Sequence, residues 1–64
     1  MAESTVTGRD LALLRREREL RQGDVARAWP CSREYVGQLE AACRPSPAAV
    51  TRYLAALQRA EAAA

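Results

Sequence analysis

The sequence predicts an all-α domain, and three observations predict it. Alanine, leucine and arginine dominate, while the strand-favouring phenylalanine and isoleucine are absent. Apolar residues recur at helical spacing, most plainly at Val50, Tyr53, Leu54 and Leu57, an i, i+3, i+4, i+7 stripe. Residues that start or stop helices fall between such stretches, at Thr7, Pro30, Ser32 and Ser46-Pro47. With 64 residues the chain makes one domain. A domain of this size buries only about 60% of the surface its unfolded chain exposes. That favours a compact module presenting a surface over an enzyme with a deep cleft.

In chain order, residues 1–6 read as a flexible N-terminus, polar and small. Helix one starts at Thr7 as N-cap, with Asp10 completing a capping box and Val6 and Leu11 forming a hydrophobic staple. It is expected to run to about Leu20, with Leu11, Leu14 and Leu13 on the inner side and Arg9, Arg16, Glu17 and Glu19 facing water. Arg15 falls on the buried edge and needs a partner. Helix two, about Gln22 to Ala28, starts weakly, because Arg21 is a poor N-cap and Gly23 a poor helix former. Pro30 ends it by disfavouring helical geometry in the residue before it. Helix three has Ser32 as N-cap and reaches Glu40 or Ala41. After a loop at 42–45, Ser46 caps helix four, Pro47 opens it, and the stripe carries it inward to Leu57. The alanine-rich tail, 58–64, either extends this helix or frays.

Charge and cysteine content narrow the chemistry. The net charge of +2 is a weak argument for a polyanionic partner. All ten basic residues are arginine, which suits phosphate and guanine better than lysine does, although GC-rich coding bias gives the same composition. With Cys31 and Cys43 and no histidine, one chain cannot supply a four-ligand zinc site, so no metal and no cofactor are expected. Both cysteines read as reduced thiols in the cytoplasm. No apolar run approaches the roughly 20 residues that span a bilayer, so no membrane association is expected. No Ser–His or Cys–His combination exists, hence no catalytic residues, no enzymatic activity and no small-molecule substrate are expected.

The stretch Gln22 to Glu40 carries the most information. Small or apolar residues fall at Val25, Ala26, Trp29, Cys31, Val36 and Leu39, the spacing that two helices crossing steeply through a tight turn require. With Leu11, Leu14 and Arg15 before it, Gln22, Ser32 and Glu40 within it and Pro45-Ser46 after it, the chain resembles the phage-repressor and Cro (XRE-type) family. The resemblance covers residues 7–57, with the motif at 22–41, and implies a compact four-helix, lambda-repressor-like helix-turn-helix domain. Pro30 stands where the family has a glycine with positive φ, so the turn is expected to take another geometry. Arg21 stands where the family has a Ser or Thr cap, and Ala42 replaces a loop glycine.

The resemblance implies sequence-specific binding of double-stranded DNA through the major groove, by a small Cro-like or prophage repressor. Such a protein would occupy an operator as a homodimer, in a bacterial nucleoid or in the cytoplasm of a phage-infected host. Base contacts fall by position to Ser32, Arg33, Glu34, Gly37 and Gln38. Arg33 suits guanine O6 and N7, Gln38 an adenine or guanine edge, and Glu34 cytosine N4. Gly37 would only remove bulk. Phosphate contacts fall to Arg21, Gln22, Arg27, Tyr35 and Arg44. Arg15 and Glu40 resemble the family's buried ion pair, a structural feature. The alternative is a protein-binding adaptor or antitoxin-like module on the same fold, which the low net charge and Glu34 favour. Trp29 and Cys31 are expected to pack inward.

Overall fold

The computed structural model describes residues 6–63. It contains four helices, α1 (Gly8–Glu17), α2 (Gln22–Ala28), α3 (Arg33–Ala41) and α4 (Pro47–Ala63). Val6, assigned above to the flexible N-terminus, packs half-buried against the core; the rest of that segment and Ala64 lie outside the described residues.

The predicted caps form. Thr7 Oγ1 accepts from the Asp10 N–H at 3.2 Å and Asp10 Oδ2 accepts from the Thr7 N–H at 3.0 Å, the reciprocal capping box. Ser32 Oγ accepts from the Tyr35 N–H at 3.1 Å, and Ser46 Oγ from the Ala49 N–H at 3.1 Å. The weak start of α2 has a remedy outside its N-cap side chain. Asp24 Oδ2 accepts from the Arg21 N–H at 2.9 Å, which is half of a capping box.

Helix α1 ends at Glu17, short of the expected Leu20, because the chain turns through Glu19 at φ 58°. The Glu19 N–H donates to the Arg16 carbonyl at 2.9 Å and the Leu20 N–H to the Arg15 carbonyl at 3.2 Å. Those two bonds make a Schellman turn, and they let Leu20 drop into the core.

Tyr53, Leu11, Leu57, Val25 and Val36 are the largest fully buried side chains. Helix α2 packs on α3 and α4, while α1 packs on α3 and α4. The α4 stripe needs correcting: its inner face is Ala49, Tyr53, Ala56, Leu57 and Ala60, whereas Leu54 is 40% exposed. Alanine fills three of those five buried positions. The tail extends the helix, and Arg18 pairs with Glu61 at 3.3 Å on the surface. Leu13, assigned to the inner side of α1, is 50% exposed, one position past the buried edge formed by Leu11, Ala12 and Arg15.

A close backbone approach joins the start of α1 to the end of α3. The Gly8 N–H donates to the Ala42 carbonyl at 2.9 Å. A Cβ on Gly8 would lie 2.6 Å from the Glu40 carbonyl oxygen and closer still to that of Leu39, so only glycine fits.

Candidate nucleic-acid interface

Helices α2 and α3 form the two arms of the motif, joined by Trp29, Pro30, Cys31 and Ser32. Pro30 has a positive φ of 26°, well short of the left-handed value of about 57°, so the turn differs from the usual glycine one. The Cys31 N–H donates to the Ala26 carbonyl at 3.0 Å, which is the outer bond of a Schellman turn. Proline has no N–H for the inner bond, and its ring favours φ near −65°, so this turn carries strain. Packing on both sides holds it. Trp29 meets Tyr53 edge-on at 6.4 Å and Tyr35 at 5.4 Å, and Cys31 lies half-buried against the core. Arg59 also reaches from α4 to the Ala28 carbonyl at 3.4 Å, capping the end of α2.

Helix α3 then divides into two faces. Val36 and Leu39 point inward, with Glu40 beside them, and Arg33, Glu34, Gln38 and Ala41 are exposed on the outside. Arg33, Glu34 and Gln38 engage no other side chain among the described residues, so their hydrogen-bonding capacity is open to a ligand. Ser32 is exposed, but its oxygen serves as the cap of α3, which leaves its hydroxyl proton to donate. Gly37 is half-buried rather than at an outer wall. A Cβ there would meet the Gln22 amide at 3.7 Å, ordinary van der Waals contact, so the packing around Gly37 would accept an alanine.

The inner face contains a polar hub. Arg15 Nε donates to Glu40 Oε2 at 2.7 Å and Arg15 Nη2 to Glu40 Oε1 at 3.1 Å, the expected ion pair in bidentate form. Two further donors were not foreseen. Gln22 Nε2 donates to Glu40 Oε1 at 3.0 Å, and the Tyr53 hydroxyl donates to Glu40 Oε2 through a short bond. One carboxylate on α3 thus ties in α1, α2 and α4. Arg15, 8% exposed, also donates to the Leu20 carbonyl at 2.8 Å, fixing the turn after α1. Burial alone would push the Glu40 carboxyl up, but donation from Arg15, Gln22 and Tyr53 outweighs it and holds the group below its ordinary 4.5. Donation to Glu40 raises Arg15, and burial followed by the bond to Glu40 raises Tyr53.

Of the proposed phosphate contacts, Arg21, Arg27 and Arg44 are exposed, and Tyr35 is 40% exposed with its ring against Trp29. Gln22 differs, because its amide is turned toward Glu40 and has one N–H left for a phosphate. Cys31 and Cys43 are free thiols, and burial raises the Cys31 thiol. Among the described residues no group of His, Cys, Asp and Glu could hold a metal ion, and no helix is long and apolar enough to cross a membrane.

Two of these features had a signal in the sequence. Tyr53 sat in an inward stripe, where a buried phenol needs an acceptor, and Asp24 stood three residues after Arg21, the spacing of a capping box. The Gly8 approach had none, since it depends on where α3 ends in space.

Comparison with known families matches residues 7–64 to the model of a helix-turn-helix domain, over nearly the whole chain. Comparison with curated proteins and with solved structures gives no match. The chain belongs to this helix-turn-helix domain family, which is related to the XRE-type, lambda-repressor-like domains and points to a DNA-binding regulator.

Proposed function

We propose that this helix-turn-helix domain is a sequence-specific transcriptional regulator of the small Cro or prophage-repressor kind. It binds double-stranded DNA in the major groove and acts by occupying an operator as a symmetric dimer. The observation that carries this reading is the outer face of α3, where Arg33, Glu34 and Gln38 stand exposed with no partner side chain on a helix whose other face is locked into the core. Arg33 presents its planar fork to guanine and Gln38 its amide to a base edge, while Ser32 lies at the helix start. Arg21, Arg27 and Arg44, with Tyr35 and the remaining Gln22 N–H, meet phosphates on either side and set the register. Two copies on half-sites about 34–36 Å apart supply the affinity that one monomer's few contacts cannot. The setting for such a protein is the bacterial nucleoid or the cytoplasm of an infected host.

A gel shift over a series of salt concentrations tests the reading. The expected result is a clear preference for one duplex and an affinity that falls by a log–log slope of about 0.9 per phosphate contacted. Equal binding to all duplexes at low and moderate salt contradicts it. The modest net charge of +2 and the exposed Glu34 favour a second reading, a protein-binding adaptor on the same fold. A stable complex with another protein in the absence of DNA would support that alternative.

A further inference from the structure

The outer face of α3 carries one residue that does not suit a polyanion. Glu34 is exposed and engages no cation or other side chain among the described residues. Its helical neighbours cannot neutralise it. Positions three and four residues on are Gly37 and Gln38, and the turn residues that precede the helix, Pro30, Cys31 and Ser32, carry no charge. Arg33 is adjacent in sequence, but consecutive helical residues do not face each other. The Arg33 stem also lies against α2, its Cδ 3.9 Å from where a Cβ on Gly23 would stand.

A bare carboxylate brought into the major groove is repelled by phosphates and loses its water. Only a hydrogen-bond donor on a base edge offsets that loss. Guanine and thymine present acceptors there, O6 and N7 or O4, whereas cytosine and adenine present an exocyclic amino group. We propose that Glu34 sets specificity by exclusion: α3 seats only where the base facing position 34 carries an exocyclic amino group, cytosine N4 foremost, and Glu34 suppresses binding elsewhere. This inference rests on the DNA-binding reading and deepens it, since it assigns Glu34 the task of weakening the wrong complexes.

The experiment uses the full chain and Glu34→Gln, which removes the charge while keeping the length and helix propensity of the side chain. A preferred duplex is first selected with the wild type. Both proteins are then titrated against that duplex, against copies with thymine or adenine at the step facing position 34, and against an unrelated duplex. Thermal melting confirms that both are equally folded. The variant is expected to bind the unrelated duplex several-fold tighter, and its preference for cytosine over thymine to fall by about tenfold, the worth of one good base contact. The glutamine amide pairs with adenine N6 and N7, so the adenine duplex gains most. A variant whose affinity for every duplex changes by one common factor, or not at all, overturns the proposal while the DNA-binding reading stands. A wild type that selects no duplex overturns both.

Discussion

Two acidic side chains on one helix differ in how far their surroundings satisfy them, and the difference separates stability from the recognition proposed above. Glu40, at the inner end of α3, accepts from Arg15, Gln22 and Tyr53 and joins all four helices. Glu34, in the first turn, faces outward and engages no side chain among the described residues. The same functional group is structural where every lone pair is satisfied and is open to a ligand where none is. Polar residues on the inner face should therefore govern folding and leave base preference alone, and those on the outer face should do the reverse.

The largest expected effect is at the hub. Arg15→Ala leaves Glu40 with two neutral donors in a buried site, and breaking such a pair costs about 3–5 kcal/mol. In a domain this small that is enough to unfold much of the population, and equal thermal melting of variant and wild type would break the comparison. Acid probes the same carboxylate without mutation. Because the folded Glu40 carboxyl is held below 4.5, its stabilisation is present above that pH and is lost as pH falls through the folded value. Urea midpoints should drop below about pH 4.5, and Glu40→Gln should flatten that dependence.

Gly8→Ala comes next. The added methyl would collide with the carbonyl oxygens of Leu39 and Glu40, which as backbone cannot swing aside. Overpacking of this kind costs about 1–3 kcal/mol, visible as a lower denaturant midpoint. A neutral result would mean that α1 and α3 can separate without loss.

The smallest effect on stability concerns the two Schellman turns. Both place a non-glycine residue at positive φ, Glu19 at 58° and Pro30 at 26°, but only the first keeps both closing hydrogen bonds. Pro30→Gly restores the missing N–H and removes the conflict with the ring. It should stabilise by about 1 kcal/mol, after allowing for the greater freedom of glycine in the unfolded chain. Glu19→Gly should give less, and a lower melting temperature for Pro30→Gly would show that the proline is not strained.

Most of the fold was legible because it rests on local chemistry. The capping box at Thr7, the caps at Ser32 and Ser46 and the end of α2 before Pro30 all follow from residues at fixed spacing, whereas Glu40 as the partner of Arg15 came from the family resemblance. Leu54 and Leu13 were misplaced because an apolar side chain at the edge of a stripe turns in or out according to the neighbouring helix. The early end of α1 at Glu17 was hidden because glutamate gives no sign of a left-handed turn. For the site, Arg33, Glu34 and Gln38 could be placed on the outer face from periodicity, whereas Gln22 and Gly37 could not. Their surroundings depend on the angle at which α2 crosses α3.

Selection of binding sites from random duplexes, run in parallel on the wild type and Arg33→Ala with melting of both, tests the central claim most directly. The wild type should enrich a two-fold symmetric site containing guanine at one step of each half. Arg33→Ala should relax that guanine alone, weaken binding by about 1–3 kcal/mol and melt at the wild-type temperature. Failure of the wild type to enrich any site, or loss of melting temperature in Arg33→Ala, would contradict the assignment of recognition to the outer face of α3.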